Sequence, residues 1–116
     1  MDPADLCRLL DAVSAARTRT EAQVAALQRS VASIVEAAEL TSTDDEHDPE
    51  GATIAYERAQ ASALLRQADD DLGRLGDIAA RLAAGAAIVC DGCGQEIGIE
   101  RLLALPTARA CIRCAS

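Results

Sequence analysis

Four of the five cysteines in this 116-residue chain stand in two pairs near its C-terminus. Cys90 and Cys93 form one Cys-x-x-Cys pair, Cys111 and Cys114 form the other, and 17 residues separate them. Four thiolates complete the tetrahedral shell that Zn²⁺ adopts in closed structural sites. The spacing therefore predicts one structural zinc ion bound by Cys90, Cys93, Cys111 and Cys114.

Three interpretations compete with a zinc site: a redox-active dithiol, a set of unrelated thiols, and an iron site. Two matched pairs favour the metal, and Gly94 permits the tight turn that lets backbone amides point at sulfur. Four protein ligands leave no open coordination position for hydrolysis, and the sequence presents no pairing of nucleophile and base. We therefore expect a protein that is not an enzyme.

The charge balance indicates the kind of partner and compartment. Eleven arginines and 19 acidic residues give a formal net charge of −8. Direct, sequence-specific DNA binding is not expected, because affinity for phosphates comes from basic residues. No stretch approaches the roughly 18 apolar residues of a membrane span, and the first residues lack the basic region of a secretory signal. We expect a cytoplasmic protein with a protein partner; disulfides are uncommon in that reducing compartment, which favours the metal.

Composition predicts a mainly α fold. The chain has no Phe, no Trp and one Tyr, whereas 26 residues are Ala, which forms helix readily and buries little area.

Residues 3–40 carry an apolar stripe with heptad-like steps of four and three. Asp2 followed by Pro3 is a helix start signal. Eight of the ten stripe positions are apolar: Leu6, Leu10, Val13, Arg17, Thr20, Val24, Leu27, Val31, Ile34 and Ala38. Cys7 adjoins Leu6 and is expected to be partly buried.

A second stripe begins at Ile54 and ends near Gly85, a residue suited to a left-handed C-terminal cap. Its positions are Ile54, Arg58, Ala61, Leu65, Ala68, Leu72, Leu75, Ala79 and Leu82, widened by Leu64 and Ile78. Residues 41–51 between the stripes are rich in turn and cap residues, and Asp48 before Pro49 is an N-cap signal. Two such helices fold back as an antiparallel hairpin with arms of roughly 50 Å.

Two regions follow from these patterns. Residues 1–85 form the predicted antiparallel coiled-coil hairpin, with an acidic tip at 41–51, and residues 86–116 form a small four-cysteine zinc-finger module. Ala and Thr occupy many seam positions, so the hairpin is thinly stabilised. We expect the zinc module to anchor its open end.

Residues 90–102, Pro106-Thr107-Ala108 and 111–114 closely resemble the C4-type zinc finger of the bacterial DksA/TraR family. The resemblance depends on the first Cys-x-x-Cys pair followed by Gly-x-x-Ile, Arg-Leu and Pro-x-Ala at fixed offsets. It covers about 25 residues. The helical hairpin ahead of it looks like the family's coiled coil. The resemblance implies a transcription regulator that binds RNA polymerase. In that family the coiled coil enters the secondary channel, and the zinc module helps to grip the rim.

The resemblance also implies a role for acidic residues at the hairpin tip. Asp45 and Asp48 match the family's tip aspartates best, and Asp44 and Glu50 lie beside them. Such carboxylates can act on basic side chains or on the magnesium environment of the polymerase active centre. Two readings compete: a loop this acidic is often only a solvated turn, and Asp48 can serve only as a helix cap.

The zinc module has its own implied partner-binding residue, Arg101. Arg101 also fits the basic pattern of family members that respond to ppGpp, whereas Leu105 and Ala115 do not, which argues against coupling to ppGpp. A second function class stays open at this point. The same hairpin and zinc finger can serve as an adaptor for a protein other than RNA polymerase.

Overall fold

The computed structural model describes residues 1–40 and 49–115, and most of these residues are helical. Helix α1 spans Pro3–Leu40, α2 spans Pro49–Ala83, and the short α3 spans Ile99–Ala104. An isolated antiparallel bridge joins Val89 and Glu96. The predicted mainly α fold, a hairpin of two long helices followed by a four-cysteine segment, is confirmed. Within the described residues, no helix combines the length and apolar character needed to cross a membrane.

The start of α1 is fixed by Asp2, as the sequence predicts. The Ala4 amide donates to Asp2 Oδ1 at 2.9 Å, and the Leu6 amide donates to the Asp2 carbonyl at 2.9 Å. Pro3 occupies the first helical position, where its missing N–H costs nothing. Local capping chemistry is therefore sufficient to place this end of the helix.

The end of α2 is fixed by a glycine in the left-handed conformation. Gly85 has a φ of +72°. The Ala86 amide donates to the Arg81 carbonyl at 2.8 Å, and the Gly85 amide donates to the Leu82 carbonyl at 3.1 Å. These are the two hydrogen bonds of a Schellman motif, which satisfies carbonyls at the helix end. The chain then turns directly into the cysteine-bearing segment.

The described chain divides into two compact units. The cysteine unit contains the described residues 1–20 and 71–115, and the helical unit contains residues 21–40 and 49–70. Among the described residues of the helical unit, only two small side chains of α2, Ala61 and Ala68, are buried, and α1 buries none. The larger side chains of the stripes are half-buried there: Val24, Leu27, Val31, Ile34 and Leu65. This unit has a thin apolar seam and little core.

The cysteine unit has one apolar core to which three parts of the chain contribute. Helix α1 provides Leu9, Val13 and Ala16, and α2 provides Leu75, Ile78 and Leu82. The C-terminal segment provides the remaining buried members: Ile88, Cys90, Ile97, Leu102 and Ala108. The helix ends and the cysteine-bearing segment therefore stabilise each other through a shared core.

Some expectations about which side chains face inward are wrong. Leu10 is 37% exposed and Leu64 is 47% exposed, whereas Leu9 is fully buried. The heptad count considers only a two-helix seam, but in the cysteine unit α1 also packs with the C-terminal segment, which moves its buried face to Leu9. Cys7 is exposed rather than partly buried, because it lies about 200° around the helix from Leu9.

Candidate metal centre

The first cysteine pair lies on a short hairpin that is closed by backbone hydrogen bonds. The Ile97 amide donates to the Ile88 carbonyl at 2.9 Å, and the Cys90 amide donates to the Gln95 carbonyl at 2.7 Å. Gly94 has a φ of +73°, and its amide donates to the Cys90 carbonyl at 2.9 Å. The turn predicted at Gly94 is confirmed, and it brings the Cys90 and Cys93 side chains to the same side.

The second pair repeats part of this geometry. The Ala115 amide donates to the Cys111 carbonyl at 2.9 Å, the same four-residue step that links Gly94 to Cys90. The two pairs are also joined directly, since the Asp91 amide donates to the Arg109 carbonyl at 2.8 Å. Two similar turns thus face each other with two thiols each.

The four sulfur atoms form one cluster. The Sγ atoms of Cys90, Cys93, Cys111 and Cys114 all lie within 4.8 Å of one another, and Cys93 Sγ is 3.8 Å from Cys111 Sγ. Zn–S bonds of about 2.3 Å in a tetrahedron require sulfur atoms about 3.8 Å apart. The cluster fits a four-coordinate zinc ion without a large movement of the backbone.

The surroundings of Cys90 favour the thiolate that zinc binds. Amide hydrogen bonds, from Cys111 first and then from Cys93, lower the pKa of Cys90 to about 6. The Gly92 amide also approaches Cys90 Sγ, at 3.3 Å. Since this sulfur is a thiolate at neutral pH, Cys90 is prepared to bind a cation.

The pKa values of Cys111 and Cys114 shift in opposite directions, although both thiols belong to the same cluster. The Cys114 amide is the main cause of a lowered pKa at Cys111. Neighbouring sulfurs, Cys111 foremost, raise the pKa of Cys114 to about 12 because they accept the proton of its thiol. Zinc bound here takes the place of that proton, so binding releases it and is weakened by acid.

Gly92 is a site residue that the sequence analysis did not single out. A Cβ atom built on Gly92 would lie 3.1 Å from Cys114 Sγ and 3.3 Å from Cys114 Cβ. Only glycine allows the two turns to approach this closely without a shift. A glycine between the cysteines of the first pair is the signal that could have identified it.

Two arginines hold the backbone that leads into Cys111. Arg101, on α3, is half-buried, and its Nε donates to the Ala110 carbonyl at 2.7 Å. Arg74, on α2, is buried, and its Nη2 donates to the Ala108 carbonyl at 2.6 Å. Sequence reasoning missed Arg74, because an arginine beside a stripe position ordinarily points to solvent. The partner-binding role expected of Arg101 stays a prediction.

The residues expected at the acidic tip lie at or beyond the edge of the described part of the chain. Asp44, Asp45 and Asp48 lie outside the described residues. Glu50 belongs to the first turn of α2, and its side chain also lies outside the described part. Their roles stay predictions based on the sequence.

Comparisons with known proteins agree with this geometry. Residues 85–116 match the prokaryotic dksA/traR C4-type zinc finger family. The structure is similar to that of transcription factor DksA2 from Pseudomonas aeruginosa, with a TM-score of 0.74 and 28% sequence identity. That similarity covers 99% of this chain and 83% of the other. Among curated proteins, no sequence matches this chain.

The C-terminal segment is therefore a C4-type zinc finger of the dksA/traR family, and the chain has the fold of a DksA-like transcription factor. The four clustered cysteines bind one structural Zn²⁺. Neither match is to an enzyme, in agreement with the closed ligand shell. The predicted family and cofactor are confirmed.

Proposed function

We propose that this chain regulates transcription by binding RNA polymerase, with its helical hairpin inserted into the secondary channel and its acidic tip acting near the active centre. The observation that carries the proposal is the structural similarity to a DksA2 transcription factor over 99% of the chain. That similarity includes both long helices as well as the zinc finger. A function that needs the whole hairpin is thus favoured over one that uses the finger alone.

The two units support different parts of this function. The cysteine unit has the metal site and the apolar core, which suits a rigid base that contacts the polymerase rim. The helical unit has a thin seam and largely exposed polar faces, which suits an arm that fits a narrow aqueous channel. The chain itself does no chemistry in this account. It positions carboxylates where the polymerase has basic groups and magnesium.

The residues proposed to contact the polymerase are Asp45 and Asp48 at the tip, with Asp44 and Glu50 beside them, and Arg101 in the zinc finger. Arg101 has a hydrogen bond from Nε to Ala110, so a partner would meet the other edge of its guanidinium group. The net charge of −8 supports a protein target rather than promoter DNA. We propose a cytoplasmic location, and Leu105 and Ala115, which depart from the basic pattern of ppGpp-responsive members, argue against coupling to ppGpp.

Binding to purified core RNA polymerase tests the proposal. We expect the zinc-loaded chain to be retained by immobilised core enzyme and to be displaced by another protein that occupies the secondary channel. Retention without competition would place the chain elsewhere on the polymerase. No retention at all would contradict the proposal and favour the adaptor function, in which the hairpin binds a different protein.

A further inference from the structure

Three successive carbonyl groups just before Cys111 each accept a hydrogen bond from a different element. Arg74 on α2 donates to Ala108 O at 2.6 Å, and Arg101 on α3 donates to Ala110 O at 2.7 Å. Between them, the Asp91 amide of the first cysteine turn donates to Arg109 O at 2.8 Å. We refer to residues 108–110 as the lead segment. Its position is fixed from three directions before the chain reaches the second pair of ligands.

Arginine suits this task better than other donors. Its guanidinium group is planar, permanently charged and rigid, and hydrogen bonds from a charged donor are short and strong. The two arginine bonds, at 2.6 and 2.7 Å, are at the short end of the usual range. Arg74 is 7% exposed and Ala108 is 3% exposed, so water competes little for this bond.

Stability alone does not explain an arginine at position 74. Burial lowers the pKa of Arg74, and the charge of Arg109 acts in the same direction. Its Nε has no hydrogen-bond partner among the described residues. An apolar side chain of similar length would avoid both costs, and such replacements of buried charges are often neutral or stabilising. What the apolar side chain would lose is the donor to Ala108.

We infer that Arg74 is a positioning residue for the zinc site, which it holds to helix α2 through the lead segment. Arg101 holds the same segment from α3. Because Cys111 directly follows Ala110, a shift of the lead segment moves a ligand sulfur relative to Cys90 and Cys93. Arg74 thus links the affinity of the zinc site to the packing of α2, although it is 16 residues before the first ligand in the sequence.

The test compares zinc affinity in three variants of the full chain, by competition with a chromophoric chelator. Removal of a group that orients metal ligands typically weakens metal binding about 10- to 100-fold, and we expect a loss in this range for Arg74→Met. Arg74→Lys keeps a charged donor and should lose less. Arg66→Met, which removes an exposed arginine of the same helix, should bind zinc within about twofold of the parent chain.

Thermal unfolding with and without zinc separates positioning from simple packing. We expect Arg74→Met to lower the melting temperature of the zinc-loaded chain and to leave that of the chelator-treated chain unchanged or raised. An equal loss in both states would overturn the inference, as would a zinc affinity within about twofold of the parent. If Arg74→Met does not fold, Arg101→Met is measured in the same way. An unchanged zinc affinity in that variant would then overturn the inference.

Discussion

In the cysteine unit, α1 and α2 bury leucine and isoleucine side chains completely, whereas the buried side chains described in the helical unit are alanines of α2. Leu9, Leu75 and Ile78 have no exposed surface, while Ala61 and Ala68 are the buried apolar residues among the described part of the helical unit. Burial free energy scales with apolar area, so the two ends of one helix pair differ in stability. Stability is concentrated where the zinc site lies, and the described faces of the helical unit are mostly polar and exposed.

Removal of zinc should have the largest effect on the difference in stability between the two units. Structural zinc contributes on the order of 10 kcal/mol to the folding of small modules. We expect a chelator to abolish amide dispersion in residues 86–116, as seen in a ¹H–¹⁵N spectrum of the full chain. Since the core is shared, amides near Leu9 and Leu75 should also shift. Amides of residues 21–40 and 49–70 should change least.

Two outcomes of that experiment are informative. Unchanged dispersion in residues 86–116 after complete metal removal would contradict the structural role of zinc. Loss confined to residues 86–116, with the helix ends unaffected, would support residues 1–85 as an independent folding domain, a division that is so far a prediction from the sequence.

Core truncation gives the next largest effect. Leu75→Ala removes a fully buried side chain in the cysteine unit and should cost about 2–5 kcal/mol in the free energy of unfolding. Leu65→Ala removes a half-buried leucine on the same helix and should cost about 1 kcal/mol. Chemical denaturation of the zinc-loaded chain, followed by circular dichroism, measures both. Equal losses would mean that the two units are equally well packed.

Glycine substitutions should have effects of opposite sign in two places. Gly92→Ala introduces a Cβ 3.1 Å from Cys114 Sγ, so we expect weaker zinc binding and a lower melting temperature. Gly73→Ala is the control. The added Cβ has no atom within 4 Å inside α2, so the substitution should stabilise the chain by about 0.5–1 kcal/mol. If Gly92→Ala binds zinc as tightly as the parent chain, the close approach of the two turns is not needed for the site.

The sequence predicts well those features that depend on neighbouring residues. Asp2 and Gly85 cap their helices through bonds to residues a few positions away, so the start of α1 and the end of α2 are readable from local patterns. The four zinc ligands are readable for the same reason, since their spacing alone defines two turns. The match to the zinc-finger family likewise depends on one continuous segment, residues 85–116.

The sequence does not predict features that arise only when distant segments pack. Leu9 replaces Leu10 in the core because the C-terminal segment covers a face of α1 that a two-helix count leaves to solvent. Arg74 is buried because Ala108, 34 residues away, accepts its hydrogen bond. Gly92 matters because of Cys114 in the opposite turn.

In the function we propose, the zinc finger is a base from which the hairpin brings its tip carboxylates to RNA polymerase. The most direct measurement is transcription by purified polymerase in the presence of the parent chain or of Asp45→Asn, with binding measured in parallel. Asp45 is a cleaner choice than Asp48, which precedes Pro49 and can cap α2. We expect Asp45→Asn to bind the polymerase as the parent does and to lose its effect on transcription. An unchanged effect on transcription, with binding retained, would contradict the claim.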